Sequence, residues 1–176
     1  MITIEPPQSI SVHGLSTITR PVVARFLERA QAAVGLAGEV HVLLADDATL
    51  KRLNKTFRGK NKATDVLSFP AGPSTVFFGE PDAPELAGDL AISLETAARQ
   101  ASRFGHTLLE EVKILLLHGL LHLAGFDHET DSGEMAAREA ELRALLDLPS
   151  SLIARASKPV EAVPSTKPSA LRRARA

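Results

Sequence analysis

The feature that most constrains this 176-residue chain is the stretch from Leu115 to Glu129, LLLHGLLHLAGFDHE. It places His118, His122 and His128 in the pattern H-x-x-x-H-x-x-G-x-x-H. Two histidines four residues apart project side by side from a helix, and the glycine that follows lets the chain reverse and deliver a third imidazole. The spacing therefore predicts a metal-binding helix followed by a turn.

Three imidazoles leave one position of a tetrahedral metal open. Structural zinc sites are usually closed by four protein ligands, whereas catalytic zinc sites keep a position for water. Burying two imidazoles among leucines is costly unless each nitrogen is satisfied, and one ion satisfies both. The chain has no cysteine, so His, Asp or Glu must hold any metal. We expect one Zn²⁺ ion per chain, although imidazoles also accept iron, copper or nickel.

The same histidine spacing occurs in the metzincin peptidases, but Gly119 stands where those enzymes have the Glu that serves as general base. A standard peptidase mechanism therefore lacks its base. Gly119 either allows close helix packing or leaves room beside the metal for a bulky substrate. Asp127, Glu129 and Asp131 flank His128 and could orient ligands or assist proton transfer, although acids next to a turn are as often helix caps.

A second constellation is the basic segment, which we define as residues 51–62, KRLNKTFRGKNK. It holds six cations and no acid, although residues 1–150 as a whole carry a formal charge of −6. The segment is either a solvated helix face with a basic loop or a surface that contacts phosphates beside the metal. Arg58 is the best candidate for an anion contact, because its planar guanidinium can hold a phosphate with two hydrogen bonds. We expect Thr64 and Asp65 to hold the turn that follows.

Length and composition predict one soluble domain over residues 1–150, because 44% of the residues are hydrophobic and 23% are charged. Residues 151–176 are rich in Ala, Ser, Pro, Lys and Arg without periodicity, so we expect a disordered basic tail. No apolar run reaches the ~18 residues of a membrane span, and no signal peptide is visible at the N-terminus. We therefore expect a cytoplasmic protein without a membrane partner.

Hydrophobic periodicity and capping residues predict the order of the elements. Short strands are expected over 2–5 and 9–14, at a sheet edge because Pro6 and Pro7 interrupt them. The other predicted elements are a helix from Thr19 to Gly35, a strand over 39–45, a helix from Asp46 to Phe57, a strand over 65–70, a Pro/Gly-rich loop over 71–85, a strand over 86–93, a helix over 94–104, the histidine helix after a Thr107/Glu110 capping box, and a last helix to about Leu146 after an Asp131/Glu134 capping box. This order predicts a single α+β domain in which a mixed sheet of about four strands packs with about five helices.

Four motifs, taken together and in this order, resemble the YbeY-type endoribonucleases, a family of bacterial rRNA maturation factors. They are N-x-x-x-R-x-K-x-x-x-T-D-V-L-S-F-P from Asn54 to Pro70, G-D-L-A-I-S from Gly88 to Ser93, G-H-T-x-x-E from Gly105 to Glu110, and H-G-x-L-H-L-x-G-F-D-H from His118 to His128. The resemblance covers about residues 1–147.

The resemblance implies a zincin-like metal helix in which His118, His122 and His128 bind zinc. It also implies that Arg58 lies in the catalytic cleft and works with His118 and His122. The implied activity is cleavage of single-stranded RNA in 16S rRNA 3′-end maturation and ribosome quality control. The implied partners are rRNA and the ribosome or its small-subunit proteins, and no DNA is expected.

Two other functions stay open at this point. The first is a metzincin-like zinc peptidase, which Gly119 disfavours. The second is a non-catalytic ribosome-associated factor with a structural metal. For the ribonuclease we expect zinc to polarise water or to bind a phosphate oxygen while Arg58 stabilises charge on the phosphoryl group. Either water or the RNA 2′-hydroxyl could be the nucleophile.

Overall fold

The computed structural model describes residues 1–6, 13–72, 85–128 and 130–149. These residues form four strands and five α-helices, as the sequence predicts: β1 Ile2–Ile4, α1 Arg20–Val34, β2 Glu39–Ala45, α2 Asp47–Arg58, β3 Val66–Pro70, β4 Leu86–Ser93, α3 Leu94–Phe104, α4 Leu108–Leu123 and α5 Glu134–Leu145. The predicted tail over 151–176, most of the predicted strand over 9–14 and most of the predicted loop over 71–85 lie outside the described residues.

The four strands form one mixed sheet in the order β1-β2-β4-β3. The first three are parallel, and β3 runs antiparallel to β4, with Ser68 opposite Leu90. β1 lies at one edge, which confirms the position predicted from the prolines that follow it. β3 forms the other edge.

Each face of the sheet carries its own layer of helices. Alternate strand residues such as Leu90 and Ile92 point to the face covered by α1 and α4, where most of the core lies. The intervening residues Leu67 and Ala91 point to the opposite face, where they pack with Leu50 of α2. α3 packs beside α4. The basic segment and the histidine helix therefore belong to opposite faces of the sheet.

α4 is the central helix of the domain. Twelve of its sixteen residues are buried, and eight of the sixteen are leucines, as expected for a helix in the core. The predicted capping box is present at its start, where Glu110 N–H donates to Thr107 Oγ1 (3.2 Å) and Thr107 N–H donates to Glu110 Oε2 (2.7 Å). Among the described residues, no helix combines the length and the apolar character needed to cross a membrane.

Most predicted helix boundaries are confirmed to within a residue or two, but the capping box at the start of α5 is wrong. Gly133, with φ 109°, precedes the helix, which begins at Glu134. The Asp131 carboxylate lies in the turn before it and accepts the N–H groups of Gly133 (2.9 Å) and Met135 (2.7 Å). Because Gly133 adopts the left-handed conformation, Asp131 can satisfy these donors from outside the helix.

Candidate metal centre and basic segment

The three predicted histidines come together at the end of α4. His118 and His122 lie one turn apart on the helix, which ends at Leu123. Gly125, with φ 91°, then reverses the chain and brings His128 back. The potential ligand nitrogens of the three side chains all lie within 4.8 Å of one another. The structure therefore contains the three-imidazole arrangement that the spacing predicts.

The hydrogen bonds of His118 determine which of its nitrogens faces the centre. Its Nδ1 lies 3.1 Å from Glu139 Oε2, and a carboxylate can only accept, so Nδ1 carries the hydrogen and Nε2 presents a lone pair. That Nε2 lies 3.2 Å from Nε2 of His122. Zn–N bonds of 2.0–2.1 Å in a tetrahedron require N–N separations of about 3.3 Å. The residues present therefore fit a zinc ion.

A buried network of two charged side chains on α5 supports the histidine centre. Glu139 is fully buried, and its Oε1 accepts a hydrogen bond from Nη1 of Arg143 at 2.9 Å. Arg143 is also buried, and its Nε donates to the Pro149 carbonyl at 2.6 Å. His118 is thus fixed by a carboxylate that accepts a hydrogen bond from a guanidinium, and that guanidinium in turn donates to the main chain.

Sequence reasoning missed Glu139 and Arg143. The signal was their spacing with Met135 and Leu142, because residues 135, 139, 142 and 143 share one face of a helix and all four are buried. Two opposite charges four residues apart on the apolar stripe of an amphipathic helix indicate a buried ion pair rather than a solvated one.

The surroundings of His122 favour its neutral imidazole, the form that can bind a cation. Burial lowers the pKa of His122, and the neighbouring rings of His118 and His128 lower it further, so the neutral, metal-binding form is favoured. His118 is buried, His122 is half-buried and His128 is exposed, so the centre opens to solvent on the His128 side. An open groove of about 470 Å³ between α1 and β1 is a separate feature, and none of the three histidines lines it.

The acids around His128 have structural contacts. Asp127 Oδ2 accepts a hydrogen bond from Thr130 Oγ1 (3.1 Å), and the Asp127 carbonyl accepts the Asp131 N–H (3.0 Å). Asp131 caps α5 as described above. Glu129, the third flanking acid, lies outside the described residues. These contacts support the interpretation that Asp127 and Asp131 hold the turn and the start of α5.

Gly119 lies where α4 packs most closely on the sheet. A Cβ atom added to Gly119 would lie 2.7 Å from Leu90 Cδ2 and 3.3 Å from Ser68 Oγ. The space is therefore filled by residues of β4 and β3, which supports the packing interpretation and leaves no room there for a bulky substrate. A glutamate at this position would have to displace Leu90.

The basic segment forms the last eight residues of α2 and the loop after it. All six cationic side chains are exposed, and none forms an ion pair with a described acid: Lys51, Arg52, Lys55, Arg58, Lys60 and Lys62. Gly59, with φ 69°, ends the helix, and the buried Asn54 side chain donates to the Lys62 carbonyl at 2.7 Å. This hydrogen bond holds the loop against the helix.

Arg58 is the last residue of α2 and forms no hydrogen bond or ion pair with the described residues around the histidines. The edge strand β3 separates the two regions, because α2 covers one face of the sheet and α4 the other. As predicted, Thr64 and Asp65 hold the turn: Asp65 Oδ1 accepts Thr64 Oγ1 (3.1 Å) and Asp65 Oδ2 accepts Gln100 Nε2 (2.9 Å).

Comparisons with known proteins agree on one family. Residues 2–147 match a family model described as Endoribonuclease YbeY. A protein of that name from Koribacter versatilis is 50% identical over 147 residues, which cover 84% of this chain and 90% of the relative. One from Solibacter usitatus is 49% identical over 140 residues, covering 80% and 88%. The solution structure of a Thermotoga maritima protein matches the fold with a TM-score of 0.51 at 24% identity, covering 96% of this chain and all of that one.

Proposed function

Because the chain belongs to the YbeY endoribonuclease family, we propose that it is a zinc-dependent endoribonuclease that cuts single-stranded RNA. We place this activity in 16S rRNA 3′-end maturation and ribosome quality control in the cytoplasm, with the ribosome or its small-subunit proteins as partners. The observation that carries the proposal is the convergence of three imidazoles with room for a further ligand, in a chain of this family.

In this proposal His118, His122 and His128 hold the zinc ion. A zinc ion bound there would supply a Lewis acid for water activation or phosphodiester polarisation. Glu139 keeps the hydrogen of His118 on Nδ1, so that Nε2 stays available as a ligand. RNA approaches from the solvent-exposed His128 side, and Arg58 binds a phosphate oxygen and stabilises its charge.

Peptide hydrolysis has less support than RNA cleavage. A metzincin peptidase needs a glutamate next to its first histidine, and here that position is Gly119, packed against Leu90 and Ser68. The exposed cations of the basic segment suit a polyanion, because they have no acidic partners among the described residues.

The proposal is tested by metal analysis and RNA cleavage on the same preparations. We expect about one zinc per chain and cleavage of a single-stranded oligoribonucleotide in preference to its duplex. His118→Ala should lose both, whereas His13→Ala, an exposed histidine outside the centre, should keep both. The proposal fails if folded His118→Ala, free of contaminating nuclease, cuts RNA as well as the wild type.

Two further readouts distinguish the alternatives. A product with a 2′,3′-cyclic phosphate would identify the RNA 2′-hydroxyl as nucleophile, whereas a linear phosphate from the first step would identify water. If chelation lowers the melting temperature but RNA binding persists and no turnover is seen with or without zinc, the metal is structural and the chain is a non-catalytic RNA-binding factor.

A further inference from the structure

Phe57 is an aromatic side chain exposed within the basic segment. It is 64% exposed, which makes it the one aromatic among the strongly exposed large apolar residues of the described chain. A single exposed apolar side chain is ordinary on a protein surface. The neighbours of Phe57 are what distinguish it, because cations lie on both sides of it in sequence and a second aromatic ring lies beneath it.

The second ring belongs to Phe69 of β3. The two ring centroids are 5.2 Å apart and the planes meet at 64°, an edge-to-face contact. Phe69 is half-buried and packs against the small core between α2 and the sheet. Phe57 is therefore held by a fixed partner, while most of its own surface stays open to a ligand.

The position of this pair relates it to the metal centre. Ser68, the neighbour of Phe69 on β3, points to the opposite face, where its Oγ lies 3.4 Å from the Gly119 carbonyl. Gly119 follows His118 directly. The aromatic pair and the α4 main chain next to His118 thus lie on opposite faces of the edge strand β3. Among the described residues β3 pairs only with β4.

We propose that Phe57, supported by Phe69, is a stacking platform for one base of a single-stranded RNA whose phosphates lie on the basic segment. This inference rests on the proposed function. Exposed cations attract phosphates, and an aromatic ring among them offers a π-face on which any unpaired base can stack. The bases of a duplex are already stacked on each other, so the platform also gives a physical reason for a preference for single strands.

Binding of a hydrolysis-resistant RNA tests the platform. The probe is a fluorescent 2′-O-methyl phosphorothioate oligonucleotide, used with the zinc-loaded full chain, together with an abasic strand that has the same backbone. Phe57→Leu keeps an apolar side chain but removes the π-face. We expect it to weaken binding of the base-bearing strand roughly 5- to 150-fold, the equivalent of one lost stacked base, and to leave binding of the abasic strand unchanged.

Two sets of controls separate stacking from charge and from folding. Phe57→Trp should bind the base-bearing strand at least as tightly as the wild type. Leu145→Ala, on α5 with the same 64% exposure, should change nothing. Lys60→Ala should reduce the dependence of the dissociation constant on salt, whereas Phe57→Leu should not. Thermal melting of each variant reports on its folding.

The inference is overturned if Phe57→Leu binds both strands as the wild type does, or if it weakens both strands equally, since the latter would mean that Phe57 only positions the cations. Wild-type protein that neither binds nor cuts any RNA would instead overturn the proposed function. If the wild type binds and cuts RNA and Phe57→Leu binds it equally well, only the inference about the stacking platform is overturned.

Discussion

The histidine centre and the basic segment are both polar regions, and they are built in opposite ways. At the centre, His118 is bonded to Glu139 and Glu139 to Arg143, all of them buried. In the basic segment the cations are exposed and have no acidic partner in the described chain, and the one side chain described above as holding the loop is the neutral amide of Asn54.

The difference predicts how each region responds to substitution. A buried charge that loses its partner keeps the cost of its desolvation, so changes at the centre should reduce the stability of the fold and the affinity for metal together. An exposed cation is solvated with or without a ligand, so changes in the basic segment should reduce RNA affinity or turnover without affecting the fold.

The largest effect is expected for Glu139→Gln. The substitution removes the charge that lies 2.9 Å from the buried Arg143 guanidinium, and the loss of one partner of a buried pair costs about 3–5 kcal/mol. Because His118 also loses its carboxylate, zinc affinity should fall roughly 10- to 100-fold. Urea denaturation and titration against a competing chelator measure the two quantities.

The matched control for Glu139→Gln is Glu141→Gln. Glu141 lies on the same helix but is exposed, where it pairs with Arg138. This variant should stay within about 1 kcal/mol of the wild type and keep its zinc affinity. Equal zinc affinities for the two variants would mean that Glu139 does not support the metal centre.

Arg58→Ala should show the opposite pattern. The side chain is exposed, so unfolding free energy should change by less than about 0.5 kcal/mol. If Arg58 stabilises charge on the phosphoryl group, kcat/KM for single-stranded RNA should fall by roughly 10²-fold. Arg58→Lys should recover only part of the loss, because an ammonium cannot hold a phosphate through a planar fork. Lys51→Ala is the control, and an equally large loss there would indicate general attraction of RNA instead.

The sequence predicts the structural features that depend on residues close together in the chain. The strands, the helix ends at Gly35 and Gly105, and the capping box at Thr107 all follow from residues next to one another in the chain. The three histidines also belong to this class, because one helix and one turn suffice to bring them together.

What sequence reasoning missed depends on long-range packing. Glu139 lies 21 residues from His118, and although its spacing on α5 marks it as buried, no local pattern shows that its carboxylate meets His118. That α4 and α2 cover opposite faces of the sheet is also a long-range property, which no local pattern of residues gives. α5 begins at Glu134, later than the sequence predicts, because Gly133 takes the left-handed conformation. Asp131 then accepts main-chain N–H groups from the turn before the helix.

A smaller effect is expected for Gly119→Ala, which tests how tightly the histidine helix lies on the sheet. The added methyl group would collide with Leu90 at 2.7 Å. Overpacking of this kind costs about 1–3 kcal/mol, offset by about 1 kcal/mol of improved helix propensity. A double-mutant cycle with Leu90→Ala measures the contact in denaturation experiments. We expect a coupling of at least 0.5 kcal/mol, and additive effects would contradict the close approach.

The smallest effect is expected for Glu110→Gln, at the far end of α4. The hydrogen bond from the Thr107 main chain holds the pKa of Glu110 below its ordinary value, so the unfolded state takes up a proton more readily than the folded one. The stabilisation is therefore present above about pH 4.5 and is lost as pH falls through the lowered pKa. At pH 7 the variant should lose between a few tenths and about 1 kcal/mol, and near pH 3 its difference from the wild type should be smaller.

Urea denaturation at the two pH values measures this difference, with Glu28→Gln as a control for the removal of an exposed acid on α1. A difference between Glu110→Gln and the wild type that persists undiminished at low pH would contradict the role of the charge. Zinc affinity should not change, because the Glu110 carboxylate bonds to Thr107 at the helix start, whereas His118 near the other end of α4 is held by Glu139 of α5. A fall in zinc affinity for Glu110→Gln would show that the two ends of α4 are coupled, so that the orientation of His118 depends on the helix start as well as on Glu139.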